Sequence, residues 1–156
     1  MSLVAYGNGT AATETPEIAN NGFWPAIDPD TFRSEHRVES TVTTPRVLTA
    51  LRIAMASLNR QLADWQREQV EAGHTTADAV PLEDWQISGH HSLLYVRAVY
   101  AEAHAQLLER YREVSATQDG DERGEAKADA AEDYRRDARW AVAEIIGEPH
   151  TTVELI

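Results

Sequence analysis

The sequence predicts an all-α fold: a small helical bundle of three long helices plus one short N-terminal helix, with an extended N-terminal arm and a C-terminal tail. Two observations carry this. Apolar residues recur at three- and four-residue steps over three long stretches, and helix-opening and helix-closing residues bracket those stretches. Three such stripes can face one another, which makes a bundle the natural architecture. At 156 residues the chain is read as one domain, long enough to bury a core.

Residues 1–22 are Gly, Asn, Thr, Ala and Glu with little apolar content, and read as an arm that is flexible on its own. Structure is expected from Phe23, with the helical domain over 23–146. Asp28 before Pro29 is an N-cap followed by proline at the first helical position, which opens a short helix to about Arg37. Thr44 and Pro45 open the clearest element. Leu48, Leu51, Met55, Leu58, Leu62 and Trp65 form one stripe, and Gly73 closes it. Over 45–72 this helix would be ~42 Å long, with Arg52, Asn59, Arg60, Arg67 and Glu71 on its other face.

Residues 73–91 form a long connection in which Val80, Leu82, Trp85 and Ile87 suggest packing, with short strand or single-turn character. A second long helix is expected over 92–114, with Leu93, Val96, Tyr100, Leu107 and Tyr111 as its stripe. Ala98, Ala101, Ala103 and Ala105 allow a neighbour to approach closely. A loop follows. A third long helix, 125–146, starts acidic, as suits the positive end of its dipole, and turns apolar at Trp140, Val142, Ile145 and Ile146. Gly147 and Pro149 stop it, and 147–156 reads as an extended docking tail.

Fourteen Lys and Arg against 26 Asp and Glu give a formal net charge of −12. Such a surface should repel its own kind and argues against gripping phosphate backbones, since nucleic-acid binders carry a basic footprint. Cysteine is absent, which excludes disulfides and thiolate metal sites. No run reaches the ~18 apolar residues of a membrane span, and no Lys or Arg with an apolar segment marks a secretory leader before Arg33. The expectation is a cytosolic product, or one released by lysis, with no membrane partner.

The candidate chemistry is thin. His90 and His91 are adjacent, and Glu102 and His104 are two apart, spacings that do not put two metal ligands on one helical face. Ser-His-Asp chemistry around His90, His91 and Asp84 lacks a nucleophile elbow and a glycine-rich oxyanion loop. Asp119, Asp121 and Glu125 alternate but do not complete a calcium loop. A helix-turn-helix reader would need a short turn and a basic second helix. No catalytic, cofactor or metal site is therefore expected. Arg135, Arg136 and Arg139, set among Asp133 and Asp137, read either as a solvated face paired along the helix or as a rim of intersubunit ion pairs. Of the four tryptophans, Trp24, between arm and helix, is the one expected to contact a partner.

The ordered set of residues over 22–156 resembles a known family. It begins with "GFWPAID", continues with Thr41-Val42-Thr43, then Asn59, Gln61, Leu62 and Trp65, and closes with "YVRAVYAEAHAQLLERY" and "YRRDARWAVAEIIGEPHTTVELI". The chain is similar to the head completion (head stabilisation) proteins of contractile-tailed temperate bacteriophages; residues 74–91 depart most from that pattern. The resemblance implies a structural virion protein of the head–tail neck, made in the host cytoplasm. It would dock on the portal protein ring after DNA packaging, as a ring of neighbouring copies of itself, twelve by analogy with the portal. It would help retain the genome, present a face to the next connector or tail terminator protein, and let packaged DNA pass without specific binding. It implies no catalytic residues and no cofactor. From another class, a small acidic helical regulatory protein that sequesters a basic host or phage partner also fits the composition.

The tail is the expected hook: Thr151, Thr152, Val153, Glu154, Leu155 and Ile156. Burying Val153, Leu155 and Ile156 would yield roughly 1.5–3 kcal/mol each. Ordering six residues would cost on the order of 1–2 kcal/mol per residue. One tail therefore binds marginally, whereas many tails on one ring act together. The β-branched Thr151, Thr152 and Val153 suit addition to a sheet edge.

Overall fold

A computed structural model describes residues 14–114 and 121–149. The tail residues 150–156 and the loop acid Asp119 lie outside these. Among the described residues the fold is all-α as expected, built of α1 (Pro29–Glu35), α2 (Thr44–Gln61), α3 (Ala63–Glu71), α4 (His90–Val114) and α5 (Asp121–Ile146), with a 3₁₀ turn at Ala77–Ala79.

The helix ends follow from local chemistry. The Asp28 carboxylate accepts from the Asp30 N–H at 2.9 Å and from the Thr31 hydroxyl at 2.6 Å, capping α1 behind Pro29. At the other end Val38 N–H bonds to Arg33 O and Arg37 N–H to Ser34 O, a reversal that places Arg37 in the left-handed region at φ 49°. α5 stops as the sequence predicts: Gly147 takes φ 75°, with Glu148 N–H on Ala143 O.

The long helix expected over 45–72 is two helices. It breaks at Leu62, where φ is −96° and ψ 5°, although neither Pro nor Gly stands there. The cause is tertiary. Leu62 is fully buried, and past the bend Trp65 packs on Phe23 and Trp24. The stripe therefore continues through a bend that packing imposes.

α4 is the centre of the bundle, with α2 against one side and α5 against another. Its expected stripe is corrected at Leu93, which is 57% exposed while Leu94 is buried. A helix covered on more than one side has no single apolar stripe. Its small residues carry the packing instead: Ala98, Ala101, Ala103 and Ala105 are fully buried, and Ala131, Ala138 and Ala141 meet the core from α5.

Within the stretch expected to be a flexible arm, residues 15–22 are held against the rest of the fold. Ile18 and Ile27 pair as an isolated antiparallel bridge, with bonds of 2.8 and 3.0 Å, and the Thr15 N–H donates to Asp30. Residues 15–22 thus pack on the body, because Ile18 gains burial and two backbone bonds that a free arm would forgo. The connection 73–89 is pinned at its start, where Ala77 N–H bonds to Phe23 O and Val80 is buried. Leu82, Trp85 and Ile87, expected to pack, are exposed.

Candidate functional site

Trp24 is not at the surface. Only 3% exposed, it lies between Tyr95, stacked at 4.5 Å, and Trp65, stacked at 5.6 Å, with Phe23 edge-on at 5.0 Å. The expectation that it contacts a partner is overturned: "GFW" enters the core because Asn21 Oδ1 accepts from the Phe23 and Trp24 N–H groups and turns the chain inward. Beside this stack Asn20, Asn59 and Tyr95 close a ring of three hydrogen bonds of 2.6, 2.8 and 2.9 Å.

A second polar cluster joins α1, α4 and α5. His36 Nδ1 and His104 Nδ1 are 3.0 Å apart, and Tyr134 packs on both rings at 5.4 and 4.3 Å. Burial, and for His104 also the neighbouring His36, lowers both imidazoles, His104 to about 4. A cavity of 90 Å³ beside it, lined by Arg37, Glu39, His104 and Lys127 among others, has room for a few waters. No group of three or more metal-binding side chains occurs among the described residues.

The seam between α4 and α5 carries the arginines. Arg135 clasps both oxygens of Glu109 on α4, one at 2.7 Å. Arg97 pairs with Asp137, its Nε at 3.1 Å. Arg136 bonds Asp133 at 2.7 Å and lies 5.4 Å from the Trp140 ring centre, and Arg139 reaches Glu132 at 2.8 Å. Arg135, Arg136 and Arg139 are thus all engaged within the chain. Their charges are locally matched, so the helix face offers no basic footprint.

At the end of the bundle where α5 stops and α4 begins, the surface turns apolar. Trp85 is 66% exposed and Ile87 61%, joined by Leu93 and Trp140. The Trp85 ring stands edge-on to His90 at 5.3 Å, and His90 Nε2 lies 3.2 Å from the Glu144 carboxylate. That contact becomes an ion pair when the imidazole is protonated, although it falls short of an aligned hydrogen bond. The sequence marked these apolar residues but assigned them to packing. No feature of their spacing separates an outward loop tryptophan from an inward one.

Residues 18–156 match the family described as phage head completion protein (GPL). The chain belongs to that family. It is also 37% identical over 155 residues to the head completion/stabilization protein of Escherichia phage P2, a match that covers 96% of this chain and 92% of that one. No solved structure matches significantly. The head completion family sets the role as structural, and the match spans the whole helical body from the Ile18–Ile27 bridge onward. No described helix is long and apolar enough to cross a membrane.

Proposed function

We propose that this head completion protein acts as a virion neck adaptor. It docks on the portal ring after DNA packaging, helps retain the genome and presents a surface to the next connector or tail terminator protein. The observation that carries the reading is the family match over 18–156. Physical features support it. A ring needs head-to-tail interfaces between unlike faces, and a bundle with α2 on one side of α4 and α5 on another offers unlike faces. With net charge −12 and its α5 arginines matched by acids, a ring of such subunits would let DNA pass without holding it.

Docking falls to residues 150–156, which follow the Gly147 stop after Glu148 and Pro149. Twelve copies would convert marginal single contacts into firm attachment. Co-sedimentation with portal rings tests this. Deleting 150–156 should leave a folded helical protein that no longer sediments with portal; unchanged docking would overturn the assignment. Mass spectrometry of purified virions should find the chain, whereas a regulatory protein that sequesters a host partner would be missing.

A further inference from the structure

The apolar end of the bundle is framed by two acid–base pairs between α4 and α5. Leu93 lies three residues after His90 and four before Arg97; Trp140 lies three after Asp137 and four before Glu144. The His90–Glu144 and Arg97–Asp137 pairs therefore bracket Leu93 and Trp140 along the two helices. Trp85, against His90, and Ile87, whose carbonyl accepts from the His90 N–H, extend the surface past the start of α4. All four are 43–66% exposed.

The chain supplies an apolar segment next to this surface. α5 ends at Ile146, about 9 Å along the axis from Trp140. Gly147, at φ 75°, begins a reversal of direction. The seven residues 150–156 span up to ~23 Å when extended, enough to run back past Trp140. They hold Val153, Leu155 and Ile156, with Glu154 as their one carboxylate side chain. Arg97, Arg136 and His90 at the edge of this surface each face an acid of their own chain, Asp137, Asp133 and Glu144, so the fit rests on apolar contact and on the short tether. A tether this short holds the segment at millimolar effective concentration, on the order of a thousandfold above a free copy at micromolar.

We propose that in the free subunit residues 150–156 fold back onto the Trp85–Ile87–Leu93–Trp140 surface of their own chain. The hook and the apolar surface then cover each other until the portal engages the hook. This rests on the reading of the tail as the portal-docking element. Because one tail binds only marginally, the fold-back is weak enough for a portal ring to displace it.

The absence of cysteine makes the test direct. Leu93→Cys with Thr151→Cys keeps Val153, Leu155 and Ile156 and places a thiol on each side of the contact. Under mild oxidation an intramolecular disulfide should form roughly tenfold faster than in a control pairing Thr151→Cys with Arg52→Cys on α2. Rates equal to the control, or disulfide-linked dimers in place of monomers, would overturn the fold-back. The Trp85→Ser, Ile87→Ser variant should expose the tail to protease several-fold more while still sedimenting with portal; unchanged protection would also overturn it. Portal docking reports separately on the hook. The oxidised Leu93→Cys, Thr151→Cys chain should fail to dock and recover on reduction. A chain that forms the disulfide readily yet docks while locked would refute the hook and the portal-triggered release, and leave the fold-back contact standing.

Discussion

Tyr95 on α4 donates its hydroxyl to Asn59 on α2 at 2.6 Å, and the Asn20 amide closes the circuit by donating to Tyr95 at 2.8 Å. Asn59 in turn donates to Asn20 at 2.9 Å, so each of the three side chains is both donor and acceptor. The ring ties the N-terminal segment, α2 and α4 together beside the tryptophan stack. Tyr95→Phe would keep the stacking with Trp24 and leave Asn20 and Asn59 each one partner short. The expected loss is about 1–3 kcal/mol, read by urea denaturation. Asn59→Ala should cost a similar amount, and the double variant less than the sum. Additive losses would mean that the three do not act as a unit.

The His36–His104 pair sets an acid limit on stability. Unfolded imidazoles bind a proton near 6.5, whereas folded His104 does so only near about 4, first because of burial and then because His36 is beside it. His36 is lowered too, by burial, with Glu35 and Asp137 partly opposing. Between these pH values the unfolded chain holds more protons, so folding stability is complete above about pH 6.5 and is lost as pH falls toward 4. At 3.0 Å one Nδ1 must donate and the other accept, an arrangement that protonating either ring disrupts. The loss should be about 1–3 kcal/mol. Denaturation midpoints at pH 7, 5.5 and 4.5 should fall in that order, and His104→Gln should flatten the trend. An equal slope in the variant would place the acid sensitivity elsewhere.

How far these features were legible in the sequence depends on what fixes them. Caps and stops were readable because they are local: Asp28 with Pro29 opens α1, and Gly147 closes α5. The break at Leu62 was not, because its cause is Trp65 meeting Trp24, a contact across 41 residues of chain. Asn59 reads as a solvated position and is instead one of a partly buried ring of three, since its partners Asn20 and Tyr95 lie 39 and 36 residues away. Periodicity also failed on α4. It counts one face, and this helix is enclosed by alanines on several. Trp24 is drawn into the core for the same long-range reason, its contacts with Trp65 and Tyr95. The arginines find partners within the chain, at the spacings three and seven along α5 and across to α4.

Arg135 separates an intrachain role from an intersubunit one. Its guanidinium forks onto Glu109, with the two side chains 29% and 47% exposed. Partly solvated pairs of this kind contribute about 0.2–1 kcal/mol, less in high salt. Arg135→Ala should lower the stability of the isolated subunit by up to about 1 kcal/mol at low salt and leave oligomer formation unchanged. Glu109→Ala should match it. If Arg135→Ala instead leaves the subunit as stable as before but blocks oligomer formation, the arginine serves a neighbouring copy.

Arg37 offers the opposite kind of change. It occupies the left-handed position after α1 at φ 49°, where a Cβ crowds the following carbonyl and glycine is the residue usually found. The chain uses glycine at the equivalent position after α3, Gly73, and after α5, Gly147. Arg37→Gly should relieve this strain at the cost of a more flexible unfolded chain, for a net gain of about 0.5–1 kcal/mol. A rise in the urea midpoint with an unchanged slope would register it. Should the midpoint fall instead, the Arg37 side chain at the mouth of the His104 cavity contributes more than its backbone costs.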